Sequence, residues 1–325
     1  MGWSPEKWQV ALHQADEIHP HLREIGIITG YRPESATVQQ CLGSLIQPTN
    51  EMVNFWTHFV AAGYFVFQLI HHCQEATDPV RAGPFIGYLI SATACPLVSC
   101  LAHAFCAISI RAYGVCYLID YSTVSIFSFG TGLLYHSYCF PRQFEDTWYA
   151  RWFMVVCFIC STICTLIACS SRLMHHGRLQ EAMRLSAFVV PYIWDTSPLL
   201  YRFLVEDGLT APALFHFLQF FFISLAGFFY GSHLPEILFP GKFDLLGHSH
   251  NFLHVFGSLA TYMQMRAGIM DMNSRGLMKH SLEGKAAVAA VASFTALTGF
   301  IVVIFIIATH KRELTDLKHE DKKDS

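Results

Sequence analysis

Three histidines, an aspartate and a serine have the types and spacing that suit a metal site. His250 and His254 are four residues apart, which places both side chains on one face of a helix. Ser99 and His103 share that spacing near the end of an earlier apolar stretch, and Asp120 stands at the start of the next one. Because ionisable side chains are costly inside a membrane, residues of this kind indicate a functional site.

The donor set predicts the metal. Three imidazoles with an open fourth position are typical of zinc, so we predict that Zn²⁺ is bound by His103, His250 and His254. Zinc lowers the pKa of a water in the open position towards about 7. Hydrolysis is therefore one reaction that these residues could catalyse. Asp120 then acts as general base or binds the metal directly. Ser99 steadies a developing oxyanion or supports a ligand imidazole. A structural zinc with Asp120 as fourth ligand is the other alternative.

The composition places these residues in a membrane protein. The chain has 325 residues, of which 53% are hydrophobic and only 14% charged. Ordinary soluble domains carry about 25% charged residues. The net charge of −3 gives no basic surface for nucleic acid, so we expect no nucleic-acid partner.

Eight apolar stretches are long enough to cross the roughly 30 Å core of a bilayer as helices. We therefore predict an all-α integral membrane protein with a seven-helix core and an eighth, C-terminal transmembrane helix. The fifth stretch is the weakest, because Pro191, Asp195 and Pro198 interrupt it. The stretches are residues 52–74, 85–110, 121–141, 152–171, 185–201, 208–235, 245–265 and 286–310.

Four regions follow from these stretches. We expect an N-terminal segment at residues 1–50 and a zinc-binding core at 51–270. The additional transmembrane helix follows at 286–310, and a polar tail at 311–325 ends the chain.

Counting the stretches places the candidate ligands at one membrane face. Odd-numbered spans begin on the N-terminal side, and even-numbered spans end there. His103 is near the end of the second span, Asp120 starts the third, and His250 and His254 open the seventh. We expect all four on the N-terminal side.

The orientation of that side follows from basic residues. Lys and Arg are more numerous on the N-terminal side, which predicts a cytoplasmic N-terminus. The excess comes from the two tails, whereas the internal loops alone favour the opposite orientation.

Further polar residues are candidate functional residues, and each has two possible interpretations. Glu51 and Asn54 form either a polar stripe facing the bundle or a helix cap at the membrane surface. Asp195 either contacts a ligand or marks a re-entrant segment. Cys73 and Cys139 lie in loops on one side, where they are free or form a disulfide if that side is oxidising.

Taken together, these residues resemble the progestin and adipoQ receptor family over nearly the whole chain. Residues 243–250 and the additional last span are similar to its membrane progestin receptor branch. The matching motifs are Gly30-Tyr31-Arg32, Asn50-Glu51, Asn54, Trp56-Thr57-His58, Ser99, His103, Asp120-Tyr121, residues 240–244, Ser249-His250 and His254.

This resemblance implies a seven-helix core with the N-terminus inside and zinc on the three histidines, with Asp120 contacting the metal through water. It implies a steroid receptor of the plasma membrane for a progesterone-like ligand. Rapid, non-genomic signalling would pass to a protein on the cytoplasmic face. The adiponectin receptor branch and the alkaline ceramidases imply the alternative, a zinc-dependent hydrolase of a sphingolipid amide. Candidate ligand-binding residues are Glu51, Asn54, Asp195 and Asp244.

Overall fold

The structure, a computed structural model, describes residues 7–174, 178–205, 208 and 210–321. These residues form one short helix followed by eight long ones, and their extended segments make a single β-bridge, between His13 and Tyr31. The helices are α1 Val38–Ser44, α2 Met52–Glu75, α3 Pro79–Phe105, α4 Ile110–Leu134, α5 Trp148–Ser171, α6 Arg178–Val205, α7 Ala211–Ser232, α8 Ser249–Arg275 and α9 Gly284–Asp321.

The eight long helices correspond to the eight predicted stretches, so the all-α membrane class is confirmed. Among the described residues, α2, α3, α5, α7 and α9 are long and apolar enough to cross a membrane. The other three long helices carry several ionisable side chains that lie inside the bundle. Asp120 lies on α4, Asp195 and Arg202 on α6, and the two histidines of the candidate site on α8.

Two helix boundaries differ most from the prediction. Helix α4 begins at Ile110, where the Ser109 hydroxyl accepts a hydrogen bond from the Ala112 amide at 3.0 Å. The prediction started this helix too late because it excluded charged residues, whereas Asp120 lies well inside α4. Helix α9 continues through the predicted polar tail to Asp321, and residues 322–325 lie outside the described residues.

The interrupted fifth stretch is one continuous helix. Helix α6 contains both Pro191 and Pro198 within its 28 residues. Neighbouring helices can supply partners for the backbone groups that proline frees, so prolines are tolerated in membrane helices. The re-entrant interpretation of Asp195 is therefore wrong.

Helices α2 to α8 form the core, in which neighbours along the chain pack together and α8 also packs against α2. Helix α9 packs against α3, α4 and α5. At its start, the backbone of α9 approaches α3 so closely that a Cβ on Gly83 would lie 2.3 Å from the Gly284 carbonyl oxygen. Only glycine fits this position without a shift of one helix.

The two cysteines predicted to lie in loops do not form a disulfide, and Cys73 lies in the last turn of α2 rather than in a loop. Cys73 is exposed and Cys139 is fully buried, and both are free. Of the two predicted alternatives, free thiols or a disulfide, the structure contains the free thiols.

Candidate metal centre

The structure brings the three predicted histidines together. His103 comes from the last turn of α3, and His250 and His254 come from the first two turns of α8. One ligand nitrogen from each lies within 4.8 Å of the other two. The Nε2 atoms of His103 and His250 are 3.4 Å apart. His103 and His254 are buried, whereas His250 is half-buried.

The outer nitrogens of two of these rings are already engaged. His103 Nδ1 lies 2.6 Å from a carboxylate oxygen of Glu51. His254 Nδ1 lies 3.1 Å from the Asn54 carbonyl oxygen and 3.2 Å from the Thr57 hydroxyl. A histidine that donates its outer N–H to an oxygen presents its other nitrogen, without a proton, to a metal. Both rings therefore direct Nε2 towards the shared centre.

Glu51 and Asn54 build this arrangement from the start of α2. Besides His103, the Glu51 carboxylate accepts hydrogen bonds from Asn54 Nδ2 at 2.9 Å and the Tyr117 hydroxyl at 3.1 Å. The Asn54 side-chain oxygen accepts a hydrogen bond from Asn251 of α8 at 2.6 Å. Glu51 and Asn54 thus face the bundle, as one of the two interpretations expected, and they link α2, α3, α4 and α8. Their predicted contact with a ligand stays a prediction.

Sequence reasoning missed two charged residues that position the histidines. The Arg32 guanidinium donates to the carbonyl oxygens of His103 at 2.6 Å and Ala104 at 2.9 Å, which neutralises the C-terminus of α3. Glu236 accepts hydrogen bonds from the backbone N–H and the hydroxyl of Ser249, at the N-terminus of α8. Arg32 could have been found from the Gly30-Tyr31-Arg32 motif, which had otherwise served only for the resemblance.

Asp120 and Ser99 lie next to the centre but are not part of it. The Ser99 hydroxyl donates to Asp120 at 3.3 Å, and Ser99 precedes His103 by one helical turn. Asp120 does not belong to the group of ligand atoms that lie within 4.8 Å of one another. This position favours a contact through water over direct ligation, and the role of Asp120 stays a prediction.

The donor set fits a small cation. Unprotonated ring nitrogens that converge in a buried space repel each other's lone pairs, and a cation between them removes this cost. Three nitrogen donors, two with engaged outer nitrogens, match the ligation of zinc at a site with an open position. His103, His250 and His254 are the residues that would hold it.

The haemolysin-III-related family profile matches residues 46–265, which include all three histidines. The chain belongs to the haemolysin-III-related family. Membrane progestin receptor gamma of Homo sapiens is 33% identical over 304 residues, covering 91% of this chain and 90% of that protein. Membrane progestin receptor gamma-A of Danio rerio is 35% identical over 282 residues, covering 79% and 81%. Membrane progestin receptor delta of Homo sapiens is 34% identical over 264 residues, covering 78% and 76%.

These relatives confirm the predicted membership of the progestin and adipoQ receptor family. The matched part of this haemolysin-III-related chain includes α2 to α7 and the ligand turns of α8. Arg32 and α9 lie outside it.

Two other predicted ligand-binding residues of this family member make contacts elsewhere in the chain. Asp244 accepts hydrogen bonds from the backbone of Ile28 at 3.1 Å and of Thr29 at 2.8 Å, so it anchors the N-terminal segment. Asp195 is buried on α6, where it accepts a hydrogen bond from the Ser128 hydroxyl at 2.5 Å. Neither belongs to the histidine group.

A second buried polar cluster lies on α6, α7 and α8 and was also missed. Asp271 accepts hydrogen bonds from Arg202 at 2.8 Å and pairs with His216 Nε2 at 2.9 Å. Cys139 completes a group with possible ligand atoms. Because the guanidinium already neutralises Asp271, this cluster is an ion pair rather than a second metal centre.

A small cavity of about 40 Å³ lies between the N-terminal segment, the start of α2 and the residues that join α3 to α4. Glu24, Arg32 and Glu51 are among its lining residues. Burial, and then the negative charges of Glu51 and Glu236, raise the pKa of Glu24 to about 8. This carboxyl group therefore takes up a proton close to neutral pH.

Proposed function

We propose that the chain is a progestin receptor of the plasma membrane whose core holds one zinc ion. The observation that carries the receptor function is the similarity to membrane progestin receptor gamma over nine-tenths of both chains. The ligand is then a steroid of the progesterone class. The eight long helices, five of which are long and apolar enough to cross a bilayer, support the assignment to a membrane.

Zinc on His103, His250 and His254 is supported by the convergence of their nitrogens and by the contacts of Glu51, Asn54 and Thr57 described above. His103 at the end of α3 and the two histidines at the start of α8 would hold the ion, which would supply polarisation of a ligand or water oxygen. The residues of the chain orient the imidazoles, and Arg32 and Glu236 fix the two helix ends that carry them.

A cytoplasmic N-terminus places the metal centre near the inner leaflet. There, the N-terminal segment is joined to the α7–α8 loop through Asp244, and to α3 through Arg32. A shift of α3 or α8 on ligand binding would reach this surface directly. We therefore propose that the surface formed by the N-terminal segment and the α7–α8 loop contacts a signalling protein.

Hydrolysis of a sphingolipid amide is the second candidate function. The contact of Ser99 with Asp120, beside the imidazoles, is the observation that favours it. In this reaction Asp120 takes a proton from water, and Ser99 holds the carboxylate in place.

One set of measurements separates the two functions. The purified full chain is assayed for saturable binding of labelled progesterone and for release of fatty acid from ceramide. The receptor proposal expects saturable binding, and absence of that binding contradicts it. Hydrolysis requires fatty acid release that Asp120→Asn abolishes, whereas His71→Ala, a change at an exposed histidine near the other end of α2, leaves both assays unchanged.

A further inference from the structure

A groove of about 400 Å³ lies between α4, α5 and the segment that leads into α9. This volume falls within the roughly 300–1,000 Å³ of typical small-molecule pockets. One part of its lining is aromatic and aliphatic, with Phe129, Met154 and Phe158. The other part is polar, with His136 and Arg151.

His136 lines this groove and has one ring nitrogen without a hydrogen-bond partner in the described residues. The side chain is 3% exposed, and its Nε2 lies 2.9 Å from the Ala150 carbonyl oxygen. A carbonyl accepts, so Nε2 carries the proton and Nδ1 of the neutral ring is an acceptor. Nδ1 is buried and has no hydrogen-bond partner in the described part of the chain. A buried polar atom without a partner is costly, and a ligand hydroxyl or a water held by a ligand would remove that cost.

Arg151 supplies the complementary donor. It lies in the first turn of α5, is exposed, and lines the groove. The nearby Asp146 carboxylate is engaged with Lys279 at 2.8 Å and His280 at 3.7 Å. None of the ion pairs found in the described ranges includes Arg151. Its guanidinium is therefore available to donate to an oxygen atom of a ligand.

The apolar part of the groove is built on closely packed aromatic rings. Phe129 stacks on Phe294 of α9 with ring centroids 4.7 Å apart, and Phe158 packs edge-on against both rings. From Arg151 to Phe158 the groove follows α5 for two turns, which is about 10 Å at 1.5 Å per residue. The groove thus has one polar end and a rigid apolar floor.

These features match a rigid, elongated molecule with an oxygen atom at one end. A flexible lipid chain loses conformational entropy when it is ordered against such a floor, whereas a fused ring system has little to lose. We propose that the groove binds a steroid, with its rings against Phe129, Met154 and Phe158 and its oxygen-bearing end between His136 and Arg151.

The class of ligand, a steroid, is taken from the proposed function. The groove is a different site from the one proposed for zinc. His136 follows the C-terminal end of α4, whereas the histidine centre lies near the end of α3 and the start of α8, at the opposite membrane face. Leu282 and His280, which also line the groove, lie beyond the family match. The segment that leads into the eighth long helix therefore helps to form the steroid site.

The test measures labelled progesterone binding by the full chain in phosphatidylcholine nanodiscs. Met154→Trp fills the groove and is expected to lower affinity by at least about tenfold, through lost apolar contact. Ile159→Trp adds the same side chain to an exposed position of α5 outside the groove and should leave affinity within about twofold. Thermal unfolding of both variants checks that they fold.

Two more variants separate the sites. His250→Ala should lose zinc and keep progesterone affinity. Arg151→Gln should weaken binding several-fold, whereas Lys285→Gln, at an exposed lysine on the same side, should not. Wild-type affinity in Met154→Trp, or loss of binding in His250→Ala alone, overturns the groove proposal and leaves the receptor function standing. Absence of saturable binding by the wild type overturns the receptor function itself.

Discussion

His103 Nδ1 lies 2.6 Å from the Glu51 carboxylate, so the residue that precedes α2 orients the candidate zinc ligand at the end of α3. Both groups are buried. This contact joins two helices and fixes which nitrogen of His103 faces the centre. It makes Glu51 part of the site although its carboxylate is not in the ligand group.

Replacing Glu51 by Gln is expected to weaken zinc binding about 10–100-fold, because the ligand imidazole loses its charged partner. The affinity is measured by competition with a chelator. Glu75→Gln, which changes an exposed carboxylate at the far end of the same helix, is the control. Equal zinc affinities in Glu51→Gln and the wild type would show that the contact does not support the metal.

The raised pKa of Glu24 predicts a pH-dependent stability. A carboxyl group whose pKa rises on folding, here from 4.5 to about 8, binds its proton more tightly in the folded chain. Its contribution to stability is therefore complete below about pH 4.5 and is lost as pH rises towards 8. Glu24→Gln should reduce this decline in thermal unfolding scans between these pH values. The same slope in Glu24→Gln and in a Glu75→Gln control would argue against it.

The buried pair of Arg202 and Asp271 predicts a large loss of stability when one partner is removed. Asp271→Asn removes the carboxylate charge that neutralises the buried guanidinium and should lower the free energy of unfolding by about 3–5 kcal/mol. The double change Arg202→Met with Asp271→Leu should recover much of that loss, because no charge is left buried.

Zinc content should stay unchanged in both of these variants. Asp271 lies more than four turns beyond His254 on α8, about 25 Å at 1.5 Å per residue. Denaturant titration and metal analysis of the same preparations give both quantities. A double variant as unstable as the single one would contradict the assignment as an ion pair.

The sequence was sufficient for the membrane class and for the grouping of the histidines. Long apolar stretches must be helical in a bilayer, and counting them determines the side on which each end lies. This is why His103 and His250 could be assigned to one face before the structure was known. The search for charge-free stretches failed at the start of α4, because a half-buried Asp120 that hydrogen-bonds to a neighbouring helix is acceptable within a membrane helix.

The residues that position the ligands could not be found by counting. Arg32 and Glu236 contact the histidine-bearing helices through backbone atoms and a serine, and they lie far from them in sequence. Hydrogen bonds of this kind depend on how the loops fold back onto the helix ends, which hydropathy does not encode. The groove of His136 and Arg151 arises likewise from the packing of α9 against α4 and α5.

Metal analysis of the purified, zinc-replete full chain tests the central claim most directly. We predict one zinc per wild-type chain, retained in His71→Ala and lost in His250→Ala and His254→Ala. A wild-type chain without zinc, or unchanged zinc in the latter two variants, would contradict it.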